Sequence, residues 1–336
     1  MSSETPPTNL TDRPGAAAQT HQMHPARETG QRSARVAVII VHWLNMHDTV
    51  ECLASLAAVA YDPLQIIVVN NGSPDWDEAE ARRAWPAVEV VTSPTNVGFA
   101  AGNNLGIAYA IEAGADLLLL LNNDTTVEPD LVQALLPAFD DPRVGIAGPI
   151  ITYYDRPATV WSAGGTMNRW LGYTLNPQMD RPLADVEAEG DRAVDYINGC
   201  ALMARREVFE QVGGLWEEFF LYFEEADLCL RAHRAGYSSW LVAKPLVQHK
   251  VSSSGGVRGS NALTPSKAYY FGRNVFHLLR RNSRGLWAIS GTASQFLVVF
   301  PYHLVQSLRA RHPGVMLSYA AGMWDGIRGR AGRRAT

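Results

Sequence analysis

Cysteine is scarce in this 336-residue chain: Cys52, Cys200 and Cys229, far apart and odd in number. No CxxC spacing occurs, so neither a thiolate zinc site nor a disulfide framework is indicated, and reduced thiols in a cytosolic compartment fit best. Cys52 and Cys229 fall in apolar helical patterns, the usual surroundings of a core thiol. An excess of positive charge is lacking too. The balance of 29 Lys and Arg against 33 Asp and Glu leaves −4, the wrong sign for a nucleic-acid binder. Residues 1–34 are rich in Ser, Thr, Pro and Gln and have no apolar stretch of the kind a signal peptide needs. That composition predicts a disordered tail. There is no internal repeat and no G-x-G-x-x-G, which leaves a dinucleotide fold poorly supported.

What is present begins at Arg35. Val36–Val41 is a continuous, mostly β-branched run, the mark of a strand buried on both faces. The pattern then alternates: helix from Asp48 to Ala58, strand from Gln65 to Val69, helix near Trp76–Trp85, strand from Val88 to Val91, helix over 100–113. A leucine strand, Asp116–Leu121, a helix from Pro129 to Phe139 and a strand from Val144 to Ile151 follow. Strands and helices alternating at this spacing predict an α/β fold, Rossmann-like, with a mostly parallel sheet and helices on both faces. Ligands of such sheets bind beyond the carboxyl ends of the strands. The polar clusters lie there: His42 to Asn45, Asn70 to Asp75, and Asn122 to Asp124.

After residue 152 Gly, Trp, Tyr and Asn become frequent, and helices resume near Arg205–Val212 and Glu225–Ala235. Residues 250–264, with Ser252-Ser253-Ser254-Gly255-Gly256, read as a mobile loop. A helical region starts near Pro265. The predicted organisation is a tail (1–34), one domain over 35–264 with a nucleotide half (35–151) and an acceptor half (152–264), and a helical basic region (265–336).

Three clusters carry chemistry. Asn122-Asn123-Asp124 ends the leucine strand with hard oxygen ligands, which suit Mg²⁺ or Mn²⁺; the plain alternative is a turn, which Asn and Asp also favour. Glu224, Glu225 and Asp227 put three carboxylates within four residues. They repel one another, and one held in a cleft can serve as a general base; the alternative is capping of the helix dipole. Arg231 lies one turn after Asp227, placed to pair with it. Asn96-Val97-Gly98-Phe99 and Gly102-Asn103-Asn104 read as a tight turn whose glycines let backbone approach a ligand. His249, at the end of a strand-like run over Trp240–Val247, becomes a ligand candidate only beside Asp124.

Taken together and in order, these segments resemble glycosyltransferase family 2, the GT-A fold, and within it the bacterial rhamnosyltransferase-like branch. The likeness spans about 35–283. It rests on Ile67 to Ser73, Asn96 to Asn104, Leu121 to Asp124, Asn198 to Met203, Phe220 to Arg231, and His249. The resemblance implies an inverting, metal-dependent transferase. Donor contacts would come from His42, Asn45, Asn70, Asn71, Ser73, Asn96, Gly98, Asn103, Asn122 and Asn123. The family usually has Asp where this chain has Asn70, and a carboxylate where it has Asn122. Asp124 and His249 would hold Mg²⁺ or Mn²⁺. Glu225 stands at the position of the catalytic base, commonly Asp, with Glu224 and Asp227 beside it. Trp161, Gly165, Asn198 and Gly199 match a sugar and acceptor segment. The donor implied is dTDP-rhamnose and the acceptor a polyprenyl-linked glycan; UDP-hexose or UDP-galactofuranose transfer, or a non-catalytic nucleotide-sugar-binding protein, are the alternatives. A nucleotidyltransferase would carry a Gly-rich basic loop after the first strand, where this chain has His42-Trp43-Leu44-Asn45.

The only long apolar run, Leu286 to Leu308, is broken by Ser290, Thr292, Ser294, Gln295, His303 and Pro301. A spanning helix needs about 20 predominantly apolar residues. From Arg273 onward there are ten Arg and one acid, Asp325. This combination predicts a helix lying on an anionic leaflet, held by Arg309, Arg311, Arg328, Arg330, Arg333 and Arg334. The expected place is cytoplasmic, peripheral on the inner face of the plasma membrane, with no nucleic-acid partner. A packed core helix or a dimer surface are the alternatives.

Overall fold

The computed structural model describes residues 33–168, 170–251, 264–309 and 313–334. The predicted tail, apart from its last two residues, and the loop carrying Ser252–Gly256 and Arg258 lie outside the described residues.

β1 (Val36–His42) is buried at every position because it lies inside the sheet, flanked by a strand on each side. It pairs in parallel with β2 (Leu64–Asn71) on one side and β4 (Leu117–Asn122) on the other. β3 (Glu89–Ser93) extends that edge in parallel. The other wing is mixed. β11 (Ala201–Arg205) runs antiparallel between β4 and β6 (Val144–Tyr153), and β12 (Ser238–His249) lies parallel to β6. β10 (Arg192–Val194) closes that edge, β5 (Thr125–Val127) pairs with β12, and β7 (Val160–Ser162) with β6. β8 (Thr166–Asn168) and β9 (Tyr173–Leu175) form a separate hairpin. The predicted parallel sheet is therefore interrupted in its interior by antiparallel β11, and β5, β7 and β10 also pair antiparallel.

Strand alternation feeds two cores. Val36, Val38 and Ile40 pack with Leu53 and Leu56 of α1 (Met46–Leu56) and with Leu131 and Leu135 of α4 (Leu131–Leu135). Ala37, Ile39 and Val41 face Ile107 and Ala110 of α3 (Phe99–Glu112) and Leu228 of α7 (Glu224–Arg234). Each fully buried aliphatic side chain contributes about 1.5–3 kcal/mol. Gly106 lets α3 press on β1: a Cβ there would sit 2.4 Å from Ile39 Cγ2. The shorter helices α2 (Glu78–Ala84), α5 (Leu183–Glu187) and α6 (Arg206–Val212) complete the layers.

The C-terminal region consists of α8 (Pro265–Asn282), α9 (Leu286–Ser294), a π-helical turn over Gln295–Val299, α10 (Phe300–Arg309) and α11 (Pro313–Ile327). Pro301 has no N–H to close the helical bond to Leu297, and the helix opens to π geometry just before it. α8 and α11 do not stand apart from the sheet domain. Val275, Leu278 and Leu279 of α8 and Tyr319 and Met323 of α11 share one core with Phe219 and Phe223, the residues leading into α7. The two helices cross at backbone distance, since a Cβ on Gly322 would lie 2.0 Å from the Tyr269 carbonyl oxygen.

Candidate active site

The carboxyl ends of β1, β2, β4 and β12 meet the start of α7, and the candidate residues gather there. At β1 and β2 the chain builds a polar cradle. His42 Nδ1 lies 2.8 Å from Thr49 Oγ1, and its Nε2 lies 3.2 Å from Asp75 Oδ1. Asp75 accepts from Ser73 Oγ at 2.6 Å and from the Met46 N–H at 3.1 Å. The Leu44 N–H donates to Ser73 Oγ, and the Ser73 N–H to Asn70 Oδ1. Leu44 and Asn45 both have positive φ, which turns the chain sharply from β1 into α1. Burial lowers the His42 pKa against the pull of Asp75, which keeps the ring neutral at pH 7. For Asp75 burial works upward, but the hydrogen bonds from Ser73 and Met46, with His42, outweigh it and hold the carboxyl below its usual range. Asp75 lies in the polar cluster read from the sequence but not among its candidate donor contacts; here it supplies a carboxylate beside Asn70, the position where the family has one.

Asn71, Asn96 and Asn103 use their amides internally. Asn71 Nδ2 donates to Asn96 Oδ1 and the Gly98 carbonyl, its Oδ1 accepts from the Val97 N–H, and Asn103 donates to the Phe99 carbonyl. These bonds fix the 96–99 turn. Gly98 (φ 95°) is required there, because a Cβ would lie 2.5 Å from the Phe220 ring. The Phe99 N–H donates to the Phe220 carbonyl at 2.7 Å, so this turn is tied to the segment before α7.

Asp124 and His249 meet at the ends of β4 and β12, with Nε2 and Oδ1 3.1 Å apart. Both are buried. The Trp161 ring meets the His249 ring edge-on at 4.2 Å. Asn123 donates to Thr49 Oγ1. Asn122 Oδ1 is buried and has no hydrogen-bond partner. Among the described residues no group of three or more His, Cys, Asp or Glu could by itself hold a metal ion. A carboxylate, an imidazole and an orphaned amide oxygen nevertheless fit a hard cation whose remaining ligands come from a diphosphate. Lys250, at the start of the segment read as a loop, is buried on Asp48 at 2.8 Å and on Glu51, where the two carboxylates balance its charge.

Glu224 and Glu225 open α7. Glu224 is buried, Glu225 half-buried, and one carboxyl oxygen of each, Oε2, has no hydrogen-bond partner. Burial pushes both pKa values up, and for Glu224 the charge of Glu225 adds to it. Gly199 lies directly beneath: a Cβ there would meet Glu225 Cβ at 3.5 Å. Asn198 turns the chain by accepting from the Cys200 N–H. The charges of Glu224, Glu225 and Asp124 all act on the buried Tyr222 hydroxyl, whose pKa burial raises first. Asp227 is placed differently. It is fully buried and held by Arg231 Nε at 2.7 Å, Arg281 Nε at 3.0 Å and Asn282 Nδ2 at 2.8 Å. Gly165 is hydrogen-bonded to the Tyr196 backbone and lines a cavity of about 590 Å³ with Arg192, Asp195 and His233. Lys267, in the first turn of α8, went unread in the sequence. Burial lowers its pKa, and the charge of Asp124 acts on it; a lone Lys after a polar loop gives no pattern to find it by.

A sheet of this order with its polar ends so arranged is the GT-A fold. Solved structures agree. The mannosyltransferase PcManGT of Pyrobaculum calidifontis, in complex with GDP-Man and Mn²⁺, matches with a TM-score of 0.56 over 89% of this chain and 88% of that one, at 14% identity. GalNAc-T7 with UDP, GalNAc and Mn²⁺ matches at 0.51 and 14% identity, over 71% of this chain and 48% of its own. The sequence profile described as glycosyl transferase family 2 matches residues 37–213, and the chain belongs to that family: it is a glycosyltransferase. Its curated relatives include the N-acetylglucosaminyl-diphospho-decaprenol L-rhamnosyltransferase of Mycobacterium tuberculosis, 29% identical over 238 residues, 65% of this chain and 77% of the relative. The dTDP-rhamnosyl transferase RfbF of Shigella flexneri is 24% identical over 58% of this chain and 64% of its own length.

Proposed function

We propose that this glycosyltransferase is an inverting, metal-dependent enzyme that transfers rhamnose from dTDP-rhamnose to a polyprenyl-diphosphate-linked glycan on the cytoplasmic face of the membrane. What supports the mechanism is the pairing of Asp124 with His249 together with the Glu224–Glu225 pair, whose charges act with that of Asp124 on the Tyr222 hydroxyl. The rhamnosyl donor and lipid-linked acceptor rest on the relatives named above. In this reading the His42–Asp75–Ser73 cradle receives the nucleotide, and Asp124, His249 and Asn122 face the diphosphate together with Mg²⁺ or Mn²⁺. The cation, when bound, supplies positive charge that offsets the charge developing on the leaving diphosphate. Lys267 adds a second positive charge on that side. Glu225 removes the acceptor hydroxyl proton as that oxygen attacks the anomeric carbon from the opposite face, a single displacement. Its raised pKa brings its basicity nearer to neutral pH, where general-base assistance is most effective.

A panel of dTDP- and UDP-sugars with Mn²⁺ or Mg²⁺, scored for transfer to N-acetylglucosaminyl-diphospho-polyprenol, tests the donor and acceptor together. dTDP-rhamnose is expected to turn over fastest; transfer from UDP-hexose or UDP-galactofuranose alone would replace the rhamnosyl reading. In the same assay Asp124→Ala is expected to weaken Mn²⁺-dependent nucleotide binding by about 10–100-fold, the range seen when groups supporting a metal site are lost. Equal affinity with and without Mn²⁺ in both proteins would remove the metal role.

Membrane contact is read from the C-terminal surface. The stretch Leu286–Arg309 is long and apolar enough to cross a membrane by length and composition, and 22% of its most apolar window is buried. Leu286, Ile289 and Leu297 on it, and Leu317 on α11, are each at least two-thirds exposed, and Trp170 and Trp287 pack together at 4.2 Å beside them. Of the six anchoring arginines expected, Arg311 lies outside the described residues and the other five are exposed. Such an apolar face with flanking arginines suits an anionic leaflet. With vesicles containing phosphatidylglycerol, Ile289→Asp/Leu297→Asp is expected to leave the chain in the supernatant, since each apolar side chain contributes about 1.5–3 kcal/mol. Unchanged sedimentation of that variant would exclude this face.

A further inference from the structure

The five residues before Glu224 take a costly path. Phe220, Tyr222 and Phe223 all have positive φ, at 65°, 71° and 75°, a region that non-glycine residues enter only when their surroundings force it. What forces it here is one face of α8. Asn274 Nδ2 lies 3.0 Å from the Phe219 carbonyl oxygen, 2.7 Å from that of Leu221 and 3.0 Å from that of Tyr222. Arg273 donates from Nη2 to the Phe219 carbonyl at 2.7 Å, and from Nε to Asn274 Oδ1 at 2.8 Å. That last bond fixes which end of the carboxamide faces the loop. The rings agree with the polar contacts: Phe220 stacks on Tyr270 at 5.4 Å, and Tyr222 and Phe223 pack on Phe271. Arg273 and Asn274 are both buried, and the guanidinium also reaches the Gly332 carbonyl beyond α11.

We propose that Arg273 and Asn274 are positioning residues for the transfer reaction: by holding the carbonyls of Phe219, Leu221 and Tyr222 they set the left-handed approach to α7, and with it the direction and burial of Glu224 and Glu225. The inference rests on the reading of Glu225 as base. It goes beyond that reading because both residues lie outside the 37–213 segment that matches the family profile. The same segment touches the donor side through the Phe99 N–H bond to the Phe220 carbonyl, so a shift there would reach the acid pair and the 96–99 turn together. The groups that act electrostatically on Glu225, or are acted on by it, are Glu224, Tyr196, Tyr222 and Cys229. The phenols and the thiol stay neutral because burial raises their pKa values; a loosened loop acts on Glu225 through burial, the largest influence, which raises its pKa, and through the backbone N–H groups of Glu225, Ala226 and Phe223, which lower it.

The experiment uses the full chain, the nucleotide sugar that the wild type turns over fastest, and titration with its free nucleoside diphosphate and Mn²⁺ to count active sites. Per active site, Asn274→Ala is expected to lower kcat 10–100-fold with donor KM within about twofold. The acid limb of kcat/KM should move down toward the ordinary glutamate range. Arg273→Lys, which keeps the buried charge, should show the same displacement in smaller degree, and it carries the test if Asn274→Ala does not fold. A wild-type kcat and an unmoved acid limb in the folded variant, with only thermal stability reduced, would overturn the proposal and leave a structural role. Glu225→Gln is measured beside them. If it turns over normally, the base reading fails; if it is inactive while the α8 variants are normal, only the positioning role fails.

Discussion

Glu225→Gln is expected to lower transfer by about 10²–10⁴-fold, the usual contribution of a positioned proton acceptor, while leaving nucleotide binding within twofold of the wild type. The substitution keeps shape and most contacts. Gly199 still fits beneath the side chain, and the Tyr222 and Tyr196 environment is unchanged in volume. What is lost is a carboxylate whose pKa burial has raised. The sign of the accompanying stability change follows from that direction. A raised native pKa means that the charged form is disfavoured in the folded state, so stability is fully present below the unfolded glutamate pKa and falls as pH rises through the native one. The amide does not ionise. The variant is therefore expected to be as stable as the wild type at pH 4 and more stable at pH 8. Thermal melts at the two pH values check this beside the kinetics; a variant with normal turnover would remove Glu225 as the base.

Asp227→Ala is expected to cost about 3–5 kcal/mol of stability, the usual penalty for stripping one partner from a buried ion pair. Asp227 has no exposed surface and joins Arg231, one turn on, to Arg281 and Asn282 at the far end of α8. Burial alone would raise its pKa; the hydrogen bond from Arg281, the charge of Arg231 and the bond from Asn282 outweigh it and leave the carboxyl below its usual value. Here the linkage has the opposite sign. A depressed carboxylate stabilises above the unfolded pKa, and that stabilisation disappears as pH falls through the native value. The gap in Tm between wild type and variant should therefore be widest near pH 7 and should close in strong acid. Such a profile, with chemistry per folded site only modestly changed, would assign Asp227 to holding α7 on α8 rather than to proton transfer.

The sheet was legible where residues face apolar neighbours on both sides. Val36–Val41 and the leucines of β4 leave no other reading, and their polar ends had to lie at the strand termini where ligands bind. The pairing of Arg231 with Asp227 was legible for a similar reason: helical spacing of four fixes it. Long-range partners were not. Nothing in Ala201-Leu202-Met203-Ala204-Arg205 says that it inserts antiparallel between β4 and β6. Nothing beside Lys250 in the sequence points to its two carboxylate partners, Asp48 and Glu51, which lie some 200 residues away on α1. Asp75 comes beside His42, and Lys267 within the influence of Asp124, only through tertiary folding. Arg273 and Asn274 read as ordinary polar positions on an amphipathic helix, since their partners are main-chain carbonyls, which carry no sequence signature.

The seam between α8 and α11 decides how this protein can be handled. With Tyr319 and Met323 roofing Val275, Leu278 and Leu279, a chain cut after Ser283 to isolate the catalytic domain would uncover a greasy floor and invite aggregation. Detergent or polar surface replacements on α9 and α10 are the gentler route, because they address the outer skin and leave that roof in place.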